Sequence, residues 1–296
     1  GEEVGAASTE NIRTNTNATF LQNVNVGVAI TAGKLGIGFT DAQVKIGNTA
    51  LDSLTTGTFN TAVGDAALTA TTTGEQNTAV GAYALDANTT GNYNTGIGLN
   101  ALTGNTTGSN NTALGVSALK TASTVSNNTA VGYFSLRQNT TGATNVAVGS
   151  NALTANTTGN QHTAVGHNAL AATTTADNNT GIGYQALEDT TTGQFNTAVG
   201  ARCLRENTTA DNNTGVGNDA LKNNTTGSNN TGIGEGALES NTTASHNTAV
   251  GTYALDANTT GAFNTGIGRG SLSENTTADN NTAVGYNCLL NNTTGA

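Results

Sequence analysis

Residues 77–93 read NTAVGAYALDANTTGNY, and this stretch recurs with small changes every 17 residues from Gln43 to the end of the chain. Self-similarity at a fixed period is the signature of a repeat architecture, in which each unit packs mainly on its neighbours. The length of 296 residues would ordinarily suggest two domains. The repetition instead predicts one continuous array preceded by a lead-in.

Comparing the repeats with one another shows which positions are fixed, when each copy is numbered from the position of Asn60. Position 5 is glycine, position 9 is leucine and position 14 is threonine in all 15 copies. Position 4 is always Val, Ile or Leu, and position 8 is Ala, Ser or Cys. Position 3 is Ala or Gly except at Lys45, and position 1 is Asn except at Gln43 and His162.

This period predicts an all-β fold, a parallel β-solenoid of about fifteen 17-residue turns. Seventeen residues are too few for a pair of helices but suit two short strands and two bends. Positions 1–5 are expected to form the first strand, positions 7–10 the second, and positions 12–15 an outer turn. Stacking should then produce an Asn ladder at position 1 and Thr ladders at positions 13 and 14.

Alternation along the first strand is expected to point position 4 into the coil, where it meets the leucine of position 9. The predicted core residues include Val63, Leu68, Val80, Leu85, Ile97, Leu102, Val131 and Leu136. Position 3 would then face outward, and its small residues predict a close-packed seam with sister chains around a threefold axis.

The glycines of position 5 are expected to bend the chain, either because φ is positive or because a Cβ has no room. In the second to fifth copies these are Gly64, Gly81, Gly98 and Gly115.

The chain divides into three segments by pattern. Residues 1–19 are polar and predict an N-terminal arm, and residues 20–42 show strand-like alternation that predicts a β lead-in or cap. Residues 43–296 form the repeat array, whose last copy is incomplete. Adjoining fibre segments are therefore expected at both ends.

Composition argues against several classes of function. A net charge of −10 with 9 Lys and Arg provides no basic patch for nucleic acid. No apolar run reaches the 18 residues of a membrane span, so membrane insertion is not expected.

Candidate chemical groups do not converge in the sequence. His162, His167 and His246 occupy different repeat positions, so no metal site is predicted. Asp177, Asp211 and Asp279 share position 16; they could bind calcium, but turn residues are the favoured interpretation. Catalytic residues and cofactors are not predicted, and the chain is not expected to be an enzyme. Cys203 and Cys288 lie five repeats apart, too far for a disulfide, and are expected to be small packed thiols.

The motif Asn-Thr-Ala-Val-Gly-x-x-Ala-Leu resembles the Ser-Val-Ala-Ile-Gly repeats of trimeric autotransporter adhesin heads. The NTAVG…NTTG array also resembles the repetitive shafts of phage tail fibres. The resemblance implies three left-handed β-rolls side by side, and hence a homotrimer on a cell or virion surface. The adhesin repeat is usually shorter, and neither a coiled-coil stalk nor a membrane anchor is evident, which favours a fibre segment over a whole autotransporter.

The function expected from this pattern is a rigid trimeric rod that attaches to a surface or projects a receptor-binding tip. A cell-surface glycan or a protein is the expected receptor. Four aromatic residues at position 17 either bind such a partner or cover neighbouring turns: Phe59, Tyr93, Phe195 and Phe263. An ice-binding solenoid that uses stacked Thr ladders is the alternative, and a polysaccharide-cleaving tailspike lacks the carboxylate groove that it would need.

Overall fold

The computed structural model describes residues 43–293 and residue 295. These residues form a single parallel β-solenoid with no helix, which confirms the predicted 17-residue coil. The predicted arm at residues 1–19 and lead-in at residues 20–42 lie outside the described residues.

Each turn of the coil contributes one strand of three residues, at positions 2–4 of the repeat. The strands join one sheet in chain order, parallel and in register, so that Thr61 lies beside Thr78 and Val63 beside Val80. The strands are β1 Val44–Ile46, β2 Thr61–Val63, β3 Thr78–Val80, β4 Thr95–Ile97, β5 Thr112–Leu114, β6 Thr129–Val131, β7 Val146–Val148, β8 Thr163–Val165, β9 Thr180–Ile182, β10 Thr197–Val199, β11 Thr214–Val216, β12 Thr231–Ile233, β13 Thr248–Val250, β14 Thr265–Ile267 and β15 Thr282–Val284.

The second predicted strand, at positions 7–10, is wrong: the described residues form turns there. In the second repeat, Ala66 and Leu68 both have φ of 53°, in the left-handed region. The Ala66 N–H donates back to the Asn48 carbonyl at 2.9 Å, whereas the Leu68 N–H donates forward to the Ala84 carbonyl at 3.0 Å. Neighbouring turns are thus hydrogen-bonded here without an extended strand, because left-handed residues curve the chain.

The glycines of position 5 have both a positive φ and no room for a Cβ, the two reasons that the sequence offered for their invariance. Gly64, Gly81, Gly98 and Gly115 have φ between 130° and 142°. A Cβ on Gly98 would also lie 2.6 Å from the carbonyl oxygen of Gly115 in the next turn. The chain therefore bends and stacks closely at one place, which only glycine permits.

The interior of the coil contains a single large side chain per turn. The leucines Leu68, Leu85, Leu102 and Leu136 are fully buried, together with the Ala or Gly of position 3 and the small residue of position 8. A Cβ on Gly96, at position 3, would meet the Leu85 side chain at 3.2 Å. Position 3 is therefore small because it faces the leucine inside the coil.

This arrangement corrects the predicted orientation of the first strand. Position 3 points inward and position 4 points outward, so Val63, Val80, Ile97 and Val131 are half-buried or exposed rather than core residues. Successive strand residues face opposite sides, and an interior already filled by leucine has room only for the smaller one. The position 3 seam between sister chains is wrong for the same reason.

Two columns of buried asparagine complete the interior. At position 1, the Asn94 N–H donates to Asn77 Oδ1 at 2.9 Å, and Asn94 Nδ2 donates to the Gly108 carbonyl at 2.8 Å. At position 12, Asn105 Nδ2 donates to Asn88 Oδ1 at 2.9 Å. The predicted ladder at position 1 is confirmed, and the position 12 ladder is a second one. The position 1 ladder satisfies polar groups that would otherwise be costly to bury. The position 12 ladder is interrupted, and Asn105 Oδ1 has no partner among the described residues because the next turn carries Ala122 there.

The bend glycine provides a test of this packing. We expect Gly98→Ala to lower the free energy of unfolding by about 2 kcal/mol or more, since it adds both backbone strain and a clash with the next turn. Gly96→Ala is the matched control, because other repeats carry Ala at this position. Urea unfolding followed by circular dichroism measures both. Equal midpoints for the two variants would contradict the packing described.

Candidate functional sites on the outer surface

The aliphatic residues of position 4 form a continuous column on the outside of the sheet, here called the outer aliphatic column. Nine of its members expose between 36% and 66% of their surface in the single chain. These nine are Ile46, Val80, Leu114, Ile182, Val199, Val216, Ile233, Ile267 and Val284. Exposed apolar columns of this length are unusual on a monomeric protein.

A threonine column runs beside it at position 2. Position 2 is threonine in every turn except at Val44 and Val146, and its side chains are half-buried or exposed. Positions 2 and 4 bear no charged residue in any copy. The outer face of the sheet is therefore a regular, uncharged strip of paired Thr and aliphatic side chains, here called the Thr-aliphatic face.

The four aromatic residues proposed from the sequence as binding groups are all exposed, but the structure does not gather them into one platform. Phe59, Tyr93, Phe195 and Phe263 expose 55% to 63% of their surface. Phe263 stacks on His246 of the preceding turn, with ring centroids 4.9 Å apart. Gln76 separates Phe59 from Tyr93 along the column and lies 3.5 Å from the Tyr93 hydroxyl.

The aspartates of position 16 bond to backbone in the preceding turn, which agrees with their interpretation as turn residues. Asp177 Oδ1 accepts the Asn160 N–H at 2.6 Å, and Asp211 Oδ1 accepts the Gln194 N–H at 2.7 Å. Asp279 Oδ1 accepts the Ala262 N–H in the same way at 2.6 Å. Within the described residues, no group of three or more His, Cys, Asp or Glu is placed to hold a metal ion.

Ion pairs link four successive turns of the array, the last of them through Lys222 Nζ, 3.6 Å from Glu239 Oε1. Arg202 donates twice to the Asp219 carboxylate, at 2.7 and 2.6 Å, and Arg205 donates to Glu188 at 3.1 Å. Such partly exposed pairs add little stability individually. They hold the carboxylates of Asp219 and Glu188 against guanidinium partners.

Both cysteines are free thiols. Burial raises the pKa of Cys203 to about 12, so its thiol stays protonated and unreactive at neutral pH. Cys288 is half-buried at the same repeat position.

His162 replaces asparagine in the position 1 ladder and is buried within it. Its Nδ1 accepts the Asn179 N–H at 3.2 Å, and its Nε2 lies 2.7 Å from the Ala176 carbonyl, to which it donates. Burial lowers the pKa of His162, against the opposing influence of these backbone partners and of Asp177. The ring is therefore held neutral, with its proton on Nε2.

Comparisons with protein-family models, with curated proteins and with solved structures gave no match to this chain. The described residues contain no helix with the length and apolar character needed to cross a membrane.

The buried histidine predicts an acid-sensitive turn. Because the folded pKa lies below the ordinary value of 6.5, the unfolded chain binds more protons as pH falls below 6.5, and stability is lost toward the folded pKa. His162→Asn restores the ladder residue and should remove this part of the acid dependence. Melting temperatures of both proteins between pH 7.5 and about 5 measure it. Parallel curves for the two proteins would contradict the assignment.

Proposed function

We propose that this chain is the rod of an extracellular or virion-surface fibre, assembled as a homotrimer with its Thr-aliphatic faces packed side by side. The observation that supports the proposal is the outer aliphatic column. It is apolar, uncharged and present in every turn, and a single chain leaves it open to water.

The size of this face suits a stable interface. Fifteen turns of about 4.8 Å give a length of roughly 70 Å, and a width of about 10 Å gives an area on the order of 700 Å². Typical stable interfaces bury about 800 Å² per partner. The threefold arrangement itself is supported by the resemblance of the repeat to trimeric adhesin heads and fibre shafts.

A coil with identical turns suits length and stiffness. Neighbouring turns are hydrogen-bonded through their backbones and through the position 1 ladder. The position 12 ladder adds further bonds wherever two successive copies carry asparagine there. The array is therefore expected to resist bending without a large globular core. The variable residues lie at positions 6, 7, 10, 11, 16 and 17, outside the strand, and most of them are exposed or half-buried. In the proposed rod these positions contact a receptor, either a glycan or a protein, and three copies bind it with increased avidity.

An ice-binding solenoid is the second candidate, supported by the position 2 threonines. Unlike the threonines of positions 13 and 14, which lie in the turn, these form a column on the parallel sheet, in register from one turn to the next. Thermal hysteresis of the purified chain distinguishes the two proposals. A fibre rod gives none, whereas an ice-binding face gives measurable hysteresis that Thr→Lys substitutions in the column abolish.

Charge placed on the outer aliphatic column tests the rod proposal. The triple variant Val131→Asp, Val148→Asp, Val165→Asp should shift the mass from about three times the protomer to the 29.4 kDa of one chain, since packing would bury three unpaired carboxylates. Light scattering after size exclusion measures the mass.

The matched control carries the same three charges on exposed turn residues: Thr141→Asp, Thr158→Asp and Thr175→Asp. This variant should keep the wild-type mass. If both triple variants keep the assembly, or if both lose it, the outer aliphatic column is not the interface.

A further inference from the structure

A notch opens on the variable surface near the C-terminal end of the described array. Its volume is about 220 Å³. It lies across three successive turns, at repeat positions 6, 7 and 10. The residues that line it are Tyr253, Asp256, Arg269, Gly270, Ser273, Asn287 and Leu290.

The notch exists because position 7 is glycine in the middle turn. Gly270 has φ of 64°, the same left-handed conformation that other repeats fill with larger residues. A Cβ on Gly270 would lie 2.5 Å from Asn287 Oδ1, so even one added carbon enters the space. Tyr253 leans the other way, over Gly236: a Cβ on Gly236 would lie 2.6 Å from the Tyr253 ring. Glycine at position 7 thus acts twice. Gly236 leaves room for the Tyr253 ring to lie over it, and Gly270 leaves the notch open on the other side.

The chain contains its own comparison for this site. Residues 77–93 and 247–263 are nearly identical and share a tyrosine at position 7 and an aspartate at position 10. In the earlier copy, the following turn has Asn100 where the later copy has Gly270. The Thr103 hydroxyl there donates to the Tyr83 carbonyl at 2.9 Å instead of to Asp86. The near-identical earlier repeat therefore lacks the glycine that opens the notch beside Tyr253.

The lining groups point to a neutral ligand with many hydroxyl groups. Asp256 contributes an acceptor, and Ser273 Oγ donates to its Oδ1 at 2.6 Å. Arg269 contributes donors and is held beside Tyr286, whose hydroxyl lies 3.3 Å from its Nη1. Asn287 supplies both a donor and an acceptor. The lining contains one carboxylate and one guanidinium, so its formal charges balance, and both groups can hydrogen-bond to hydroxyl groups.

Apolar groups in the lining narrow the ligand class further. Tyr253 and Leu290 present carbon surface beside the polar groups, as binding of a sugar ring requires, because a pyranose has apolar C–H faces and a polar edge. The notch is smaller than typical pockets for drug-sized molecules, which have volumes of about 300–1,000 Å³. One ring fits this space better than an extended oligomer.

We infer that this notch binds one neutral pyranose unit of a glycan, with Asp256, Arg269 and Asn287 hydrogen-bonded to ring hydroxyls and Tyr253 against the ring face. This site lies at positions 6, 7 and 10, so it does not depend on the assembly face at positions 2 and 4. In the proposed fibre each copy would add one such site, and weak single-site binding would be amplified by avidity.

Saturation-transfer NMR with methyl glucoside, galactoside and mannoside tests the inference on the full chain. Wild type should show transfer to at least one hexoside, with a Kd on the order of 1 mM, as expected for a small shallow site. Gly270→Asn should abolish the transfer, because it fills the notch. Its fold should survive, since Asn151 already donates to Asn168 at 3.3 Å in adjacent turns at this same position. Asp256→Asn should weaken binding by tenfold or more.

The matched control is Asp86→Asn, at the same position of the near-identical repeat, and it should leave the transfer unchanged. Absence of transfer in wild type, or equal transfer in wild type and Gly270→Asn, overturns the inference. Binding of inorganic phosphate in place of the hexosides also overturns it. The solution mass of each sample is measured in parallel, so loss of assembly and loss of sugar binding are separate results.

Discussion

The width of the coil interior is the constraint on which the rest of this structure depends. Each turn encloses one leucine, and the opposite wall has room only for Ala or Gly at position 3. The polar remainder of the interior is lined by asparagines whose Oδ1 atoms accept from the backbone of the following turn and whose Nδ2 groups donate to their own outer turn. Because so little apolar surface is buried per turn, backbone and amide hydrogen bonds between turns contribute much of what holds the array together.

The same constraint explains which features were predictable from the sequence. A strict period gave the parallel coil and the Asn ladder, because identical turns must stack identical residues. The invariant glycine correctly marked the bend. The side on which each strand residue lies was not predictable in this way, because Ala at position 3 and Val at position 4 fit either side of a strand. A wide coil would enclose the valine, and only the structure shows how narrow this one is.

Positions 7 and 9 illustrate a second limit. Leu68 and its equivalents adopt left-handed φ, which leucine on its own disfavours, so local preference predicts a strand where the chain forms turns. Stacking on identical neighbours overrides that preference. The notch at Gly270 was not predictable from the sequence for a related reason. A comparison of the repeats position by position shows only that position 7 varies. The notch depends on the order of the residues at this position in three successive turns, Tyr253, Gly270 and Asn287.

The proposed function also follows from the narrow interior. Because the interior has no room for the aliphatic residues of position 4, they lie on the outside of the coil, where a second and a third copy are proposed to cover them. The most direct measurement is the mass of the unmodified chain by sedimentation equilibrium. For the proposed homotrimer we expect a single species near three times 29.4 kDa. A stable, folded species at the mass of one chain would contradict it, because the column would then be open to water in the native protein.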